Sequence, residues 1–368
     1  MSEVLSNNNN SIHDDADNVK PPIASVGIIG WIRHNLFNGP INSIITLAIL
    51  YILWKVVPPF VNWAFIESMW TSSGAECQQA DGACWSVIYA NFRFIIFGFF
   101  PHDQQWRPLV AMILLVTLLL CSQNRNNWKK SLAYAWIIGL VIMGLLMKGG
   151  VLGLPPIESS QWSGLPLTML LSVFGMVAAY PLGIVLALGR RSTMPAIKSL
   201  CVIYIELIRG VPLISLLFMS SVMFPLFLPE GLTINKILRA QIAIILFTAA
   251  YVAEVVRGGL QAIPKGQYEA AEAIGLNYYM KMRLIILPQA LKVVIPPTVG
   301  VLISAFKDTS LVVIIALYDL LKTTQSTISN PKWMGFSAEA YIFIALIYFV
   351  CCYAMSSYSR RLERELDK

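Results

Sequence analysis

The chain has 368 residues, of which 57% are hydrophobic and 13% are charged, and its formal net charge is +7. Soluble domains carry about 25% charged residues, so this composition excludes an ordinary soluble globular protein and is typical of a membrane protein. The basic residues lie between apolar runs and not in a tail or along one face, which argues against nucleic-acid binding.

Residues 1–40 are predicted to form a polar cytoplasmic tail. Residues 1–19 are rich in Asn and Asp and carry no basic segment before an apolar core, so no secretory signal is expected and the first apolar helix should be retained. Residues 28–37 interleave apolar side chains with Arg33 and His34 over a stretch too short to cross a bilayer. This pattern predicts a helix lying in the membrane interface, with an ordinary polar lead-in as the open alternative.

Eight apolar segments follow, and each must be helical because lipid offers backbone polar groups no other partner. They are predicted at 41–57, 109–122, 132–147, 165–188, 202–224, 237–256, 293–317 and 338–355. Proline within a membrane helix is tolerated where protein or a water-filled path faces the freed carbonyls. Kinks or unwound turns are therefore expected at Pro181, Pro212, Pro296 and Pro297.

The loops between these segments predict the topology. Lys and Arg concentrate on the side that holds the amino terminus, so the positive-inside rule places both termini in the cytoplasm. The longest outer segment, residues 58–108, contains Cys77 and Cys84. Because the outer compartment is oxidising and the two residues are close in sequence, a disulfide is expected, with two free thiols as the alternative.

The segment between the sixth and seventh predicted spans reads as two short helices joined by a turn. Residues 267–274 are good helix formers, Gly275 suits a left-handed cap, and Asn277 is placed to cap a second helix. Small side chains make the first helix thin and two carboxylates give it a charged edge, as suits a socket in another protein. These residues are Ala270, Ala271 and Ala273 with Glu269 and Glu272.

This segment resembles the signature of the membrane subunits of ATP-binding-cassette importers, which is Glu-Ala-Ala, three residues, Gly, nine residues, Ile, any residue, Leu-Pro. The chain meets it at 269–271, 275, 285 and 287–288. The resemblance implies a coupling helix at about 267–276 that seats on an ATPase, and an ordinary helical hairpin between spans is the alternative. The implied ATPase-coupling residues are Glu269, Ala270, Ala271, Glu272 and Gly275.

Two flanking stretches, 204–213 and 305–311, look like the corresponding segments of polar amino acid uptake permeases. The resemblance implies an all-α polytopic membrane protein with about eight transmembrane helices. Residues 161–368 would form a type I importer permease domain with a five-helix core. Residues 41–160 would add three helices and a long periplasmic loop, similar to one permease of the general L-amino-acid importers.

Ionisable residues inside the predicted spans should pair or face a cavity, because an isolated charge in hydrocarbon is costly. Glu206 and Arg209 are three residues apart and are predicted to pair on one helix face. The run 307–310 offers opposite charges and two hydroxyls that suit a zwitterionic substrate, and a structural lock to a partner permease is the equal alternative. The candidate pathway residues are Lys307, Asp308, Thr309, Ser310, Glu206 and Arg209.

The sequence thus predicts a permease subunit of an ATP-driven amino acid importer, not an enzyme. It has no Gly-x-x-x-x-Gly-Lys-Ser/Thr loop, no catalytic constellation and no clustered histidines, so no catalytic residue, metal site or cofactor is expected in this chain. The resemblance implies separate ATPase subunits that bind ATP and Mg, a homologous permease, and a periplasmic amino-acid-binding protein, at the bacterial inner membrane. The alternatives are an ion-gradient-driven secondary amino acid transporter and a membrane-embedded enzyme. A secondary transporter would be expected to have two halves of similar sequence.

Overall fold

The computed structural model describes residues 27–124, 127, 129–151 and 153–366, so most of the predicted polar tail lies outside the described residues. Within the described ranges every regular element is a helix, and the pairing of Gly164 with Asp319 is an isolated bridge. The chain divides into two compact units. One is Met1–Met69 with Gln79–Ala83, and the other is Trp70–Gln78 with Cys84–Lys368.

The first unit contains two helices. The short α1, Gly27–Asn35, coincides with the predicted interfacial segment, and its Trp31 side chain is exposed. The long α2, Pro40–Val61, begins with proline, whose fixed φ suits the first helical position. Helix α2 runs past the predicted end at residue 57 and continues as a π turn, Asn62–Ile66. No residue of α2 itself is buried within the chain.

The second unit begins with a segment, predicted to lie outside the membrane, that is more helical than the sequence indicated. The short α3, Gly74–Cys77, is held by a capping box in which Ser73 and Glu76 exchange hydrogen bonds with each other's backbone N–H. It is followed by α4, Ser86–Phe97, which is too short to span a membrane and was not predicted. The last turn of α4 is buried in an apolar cluster with Leu320 and Ile344.

The second and third predicted spans are α5, Trp106–Gln123, and α6, Lys130–Lys148, which pack against each other. Arg107 at the start of α5 is fully buried, and it donates hydrogen bonds to the carbonyl oxygens of Leu146 (2.7 Å) and Pro155 (3.0 Å). Leu146 is one of the last four residues of α6, whose carbonyls have no partner within the helix. The Arg107 guanidinium therefore supplies a hydrogen-bond donor to one of the free carbonyls at the end of α6.

The fourth and fifth predicted spans differ in continuity. Helix α7, Gly164–Arg190, runs through Pro181 without interruption. By contrast, the predicted span 202–224 is not one helix, because α8, Pro195–Gly210, and α9, Leu213–Phe218, are bent by 103° at the intervening break. Val211 is extended there, since a residue that precedes proline is driven out of the helical region. The kink expected at Pro212 within this span is therefore confirmed.

After α9 the chain forms a π turn, Met219–Met223, and a 3₁₀ turn, Phe224–Phe227, before α10, Lys236–Ala262. Helices α7 and α10 form the most extensive packed pair in the described part of the chain. Their approach is close, because a Cβ on Gly183 of α7 would lie 2.6 Å from a Val252 methyl of α10. This pair is the centre of the helical core.

The remaining elements complete the core. Two short cytoplasm-predicted helices, α11 (Lys265–Ala273) and α12 (Tyr278–Lys281), lead through a π turn, Met282–Ile286, to α13, Leu287–Val293. Helix α14, Ile295–Asp308, carries Pro296 and Pro297 in its first turn and continues as a 3₁₀ helix, Thr309–Ile315. The chain ends with α15, Leu320–Ile328, a 3₁₀ turn, Pro331–Trp333, and α16, Ser337–Leu366.

The described residues contain seven helices long and apolar enough to cross a membrane, or eight if the bent pair α8–α9 counts as one span. The predicted all-α membrane fold with about eight transmembrane helices is therefore confirmed. The largest departure is local and is the extra helix α4.

Candidate functional site

The turn after α11 has the predicted cap. Gly275 adopts φ +77°, its N–H donates to the carbonyl of Glu272 (2.9 Å), and the N–H of Leu276 donates to that of Ala271 (3.1 Å). This pair of bonds is a Schellman motif, which satisfies the last carbonyls of the helix and favours glycine at its left-handed position. The side chain of Asn277 then accepts from the N–H of Met280 (2.9 Å), which confirms it as the cap of α12.

The hairpin of α11 and α12 is also held by side chains. Lys281 forms an ion pair with Glu272, and the Gln289 amide donates to that of Gln267 at 3.2 Å, which joins α11 to α13. Ala271 is buried inside the hairpin, so it keeps the helix thin but offers no surface to a partner. The other four predicted coupling residues are exposed, and they are Glu269, Ala270, Glu272 and Gly275.

A cleft of about 480 Å³ opens between α9, α10 and α14. Most of its wall is apolar, and polar groups are added by Thr248 and Tyr251 of α10 and by Ser304 and Asp308 of α14. A largely apolar cavity with a few convergent polar groups is the usual form of a small-molecule site. The cleft is therefore the candidate site for a transported solute.

The structure separates the four residues predicted together at 307–310. Asp308 lines the cleft, whereas Lys307 is exposed. The buried Thr309 hydroxyl donates to the carbonyl of Phe306 (2.7 Å), and the Ser310 hydroxyl donates to that of Lys307 (2.8 Å). Of this run, only the Asp308 side chain lies among the lining groups.

A cluster of charged side chains lies beside the cleft and connects three helices. Glu254 of α10 forms an ion pair with Arg257, and the guanidinium nitrogens of Arg190 (3.4 Å) and Arg209 (3.6 Å) also approach its carboxylate. Arg190 also pairs with Glu206 at 2.8 Å. The guanidinium carbon of Arg209 lies 5.6 Å from the ring centre of Tyr251, which lines the cleft.

This cluster corrects one prediction. Glu206 and Arg209 do not take each other as partners, because Arg190 of α7 and Glu254 of α10 lie closer to them. The sequence did not indicate that this charged cluster also contains Arg190, Glu254 and Arg257. The available signal was the three-residue spacing of Glu254 and Arg257 near the end of an apolar span.

Cys77 and Cys84 form a disulfide with a sulfur separation of 2.07 Å. The N–H of Cys84 donates to the buried carboxylate of Glu339 at 3.0 Å, which attaches this loop to the start of α16. Within the described ranges, no group of three or more His, Cys, Asp or Glu side chains is placed to hold a metal ion.

Comparison with known proteins identifies the family. The model of the binding-protein-dependent transport system inner membrane component matches residues 179–368. The chain is 48% identical, over 92% of each chain, to the inner membrane amino-acid ABC transporter permease protein YhdY of Escherichia coli strain K12. It is 38% identical to the glutamate/glutamine/aspartate/asparagine transport system permease protein BztC of Rhodobacter capsulatus, over 94% of this chain and 95% of that one.

Shorter relatives match about half of this chain. The probable glutamine ABC transporter permease protein GlnP of Bacillus subtilis is 32% identical over 55% of this chain and 91% of its own length. The apolar helices, which are long enough to cross a membrane, fit a family of inner membrane components. The chain therefore belongs to the family of inner membrane components of binding-protein-dependent transport systems, and it is a transporter subunit and not an enzyme.

Proposed function

We propose that this chain is a permease subunit of an ATP-driven importer of polar amino acids, and that it forms the translocation pathway with a homologous permease. The observation that carries the proposal is the close similarity, over nearly the whole chain, to permeases named for amino acid transport. Residues 161–368 would form the transport domain, which fits the family match from residue 179 onward. Residues 41–160 would be the added amino-terminal helices.

The α11–α12 hairpin is proposed to receive the force that drives transport. Both termini and this hairpin would lie in the cytoplasm, where an ATPase dimer with its ATP and Mg would bind the exposed face of α11. Support comes from the exposure of Glu269 and Ala270 and from the left-handed Gly275, around which no other atom crowds the surface. A smooth, thin helix end lets a partner's backbone approach closely.

The cleft is proposed as the place where the solute pauses during transport. Asp308 is the one acidic group in its wall, and it would attract the ammonium group of an amino acid. Hydroxyls of Thr248, Tyr251 and Ser304 would bind the remaining polar atoms. The relative BztC is named for acidic amino acids and their amides, so polar amino acids of this size are the proposed substrates.

A complete importer in lipid vesicles tests this function. The vesicles would contain this permease, its partner permease and the ATPase, and uptake would be measured with a periplasmic binding protein outside. Uptake is expected to require both ATP and the binding protein. Uptake driven by an ion gradient without ATP would contradict the proposal and favour a secondary transporter.

Substitutions at 307–309 separate a substrate role from a lock to the partner permease. Lys307→Met and Thr309→Val are expected to change the relative uptake of different amino acids if this run shapes the pathway. An equal loss for every substrate, together with poor assembly, would instead assign the run to the lock. Asp308→Asn is expected to weaken uptake most, because it removes the charge from the cleft wall.

A further inference from the structure

The connection between α10 and α11 is short. Helix α10 ends at Ala262 and α11 begins at Lys265, so only Ile263 and Pro264 join them. Pro264 has a fixed φ and restricts the backbone of Ile263, whose side chain is buried, so the linker ties α11 to α10. The linker makes no connection to α7, which needs another contact to follow a displacement of α11.

A hydrogen-bonded contact does bridge the linker. The Tyr268 hydroxyl of α11 donates to the carbonyl oxygen of Leu260 in α10 at 3.0 Å. Arg191, which follows α7, donates from one guanidinium nitrogen both to the same carbonyl (2.9 Å) and to the Tyr268 hydroxyl (3.1 Å). These three groups form a closed arrangement that joins the ends of α7 and α10 to α11, and we call it the Arg191–Tyr268 clamp.

The local chemistry explains why this contact forms. Leu260 is one of the last four residues of α10, so its carbonyl has no partner within the helix and accepts external donors. The negative end of the helix dipole also favours the Arg191 cation. The Arg191 guanidinium carbon lies 5.5 Å from the centre of the Tyr268 ring, and the ring packs on the apolar cluster that contains Leu260 and Ile263.

We propose that Arg191 and Tyr268 are positioning residues that transmit a displacement of α11 to α7 and α10 together. The proposal rests on the proposed coupling role of α11. Helix α10 contributes Thr248 and Tyr251 to the cleft, and α7 is its most extensive packing partner. The clamp therefore links the proposed ATPase-binding helix to the wall of the cleft and to α7, whereas the Gln267–Gln289 bond links it to α13.

The test measures how many substrate molecules are imported per ATP hydrolysed, using the complete importer in lipid vesicles. Tyr268→Phe removes the bridging hydroxyl and keeps the ring, and Arg191→Ala removes both guanidinium bonds. Each variant is expected to lower this ratio by about fivefold or more, because each loses at least one hydrogen bond of ordinary net strength, while ATP hydrolysis continues. The double variant should be no worse than Arg191→Ala alone, because the groups act as one unit.

Ser356→Ala is the matched control. The Ser356 hydroxyl also accepts a hydrogen bond from an arginine, Arg360 (2.9 Å). The two residues are four positions apart in α16, so the contact joins no separate helices and lies outside the hairpin. This variant is expected to keep the native ratio.

Two results would overturn the proposal. One is a native ratio in both Tyr268→Phe and Arg191→Ala. The other is the failure of both variants to assemble with the ATPase, which would assign the contact to folding. Failure of the proposed function is separate, because it would appear as a native importer that shows no ATP-dependent uptake at all.

Discussion

Gly275 offers the sharpest test of the coupling surface, because its conformational and steric roles can be separated. Its φ of +77° lies in the left-handed region, where an ordinary side chain costs about 1–2 kcal/mol. A Cβ built there meets no atom within 4 Å, so a larger residue would not clash inside the permease. Asn tolerates this conformation much better than a β-branched residue does.

We therefore predict different outcomes for Gly275→Asn and Gly275→Val. The Asn variant should keep the thermal stability of the purified permease within about 1 kcal/mol, and yet its side chain should project into the ATPase contact and reduce association. The Val variant should lose both stability and association. The measurements are thermal unfolding in detergent, copurification of the ATPase, and ATP-dependent uptake.

Gly231 provides the control for this experiment. It has a similar φ of +86° and open space around it, but it lies in the loop before α10, away from the hairpin. Gly231→Asn is expected to retain ATPase association and uptake. Undiminished association and uptake in Gly275→Asn would refute the reasoning that a partner approaches the helix end closely at this position.

Three further predictions concern stability, measured by thermal unfolding of the purified chain. Gly164→Ala should destabilise it by roughly 2–5 kcal/mol, because φ is +69° and the new Cβ would lie 2.1 Å from the Ile96 carbonyl oxygen. Cys77→Ser should cost about 2.5 kcal/mol, the entropy of the short loop closed by Cys84. Burial raises the pKa of Asp319, which lies between two spans, from 3.8 to about 6. The folded chain therefore binds the Asp319 proton more tightly than the unfolded chain does. The free energy of unfolding should fall as the pH rises from about 4 to 6, and Asp319→Asn should abolish that fall.

Each of these predictions has a contradicting result. A native melting temperature in Gly164→Ala would show that the backbone at Ile96 moves aside. Equal stability of the native chain with and without reductant would contradict the disulfide prediction. A stability difference between Asp319→Asn and the native chain that stays constant from pH 4 to 6 would show that the carboxyl has no raised pKa. The Asn side chain has one acceptor oxygen, so it keeps the bond from the Lys322 N–H and loses the bond from the Leu321 N–H. That loss lowers the stability of the variant by an amount that does not depend on pH, so the pH dependence still reports the carboxyl group.

The long helices could be predicted because a segment that crosses lipid must be apolar and helical over about 20 residues. The predicted spans 165–188 and 237–256 fall within Gly164–Arg190 and Lys236–Ala262. The helix Ser86–Phe97 escaped prediction because twelve residues cannot span a bilayer and its stability comes from burial against distant segments. The break before Pro212 could be predicted from the proline itself, although apolar residues continue on both sides of it.

Predictions about the site succeeded where the cause was local. Gly275 and Asn277 were identified because capping depends on a few neighbouring residues. The partner of Glu206 was wrong because its choice depends on how α7, α8 and α10 pack, which brings Arg190 closer than Arg209. The clamp was not foreseen for the same reason, since its donors and acceptor come from three separate helices.

The burial of α4 limits how far this protein can be shortened. The Thr323 hydroxyl donates to the Ile95 carbonyl (2.8 Å), and the end of α4 covers Leu320 and Ile344. A chain trimmed to residues 179–368, which match the family model, would lose this cover and expose Leu320 and Ile344. Any minimal expression clone should therefore start upstream of Ser86.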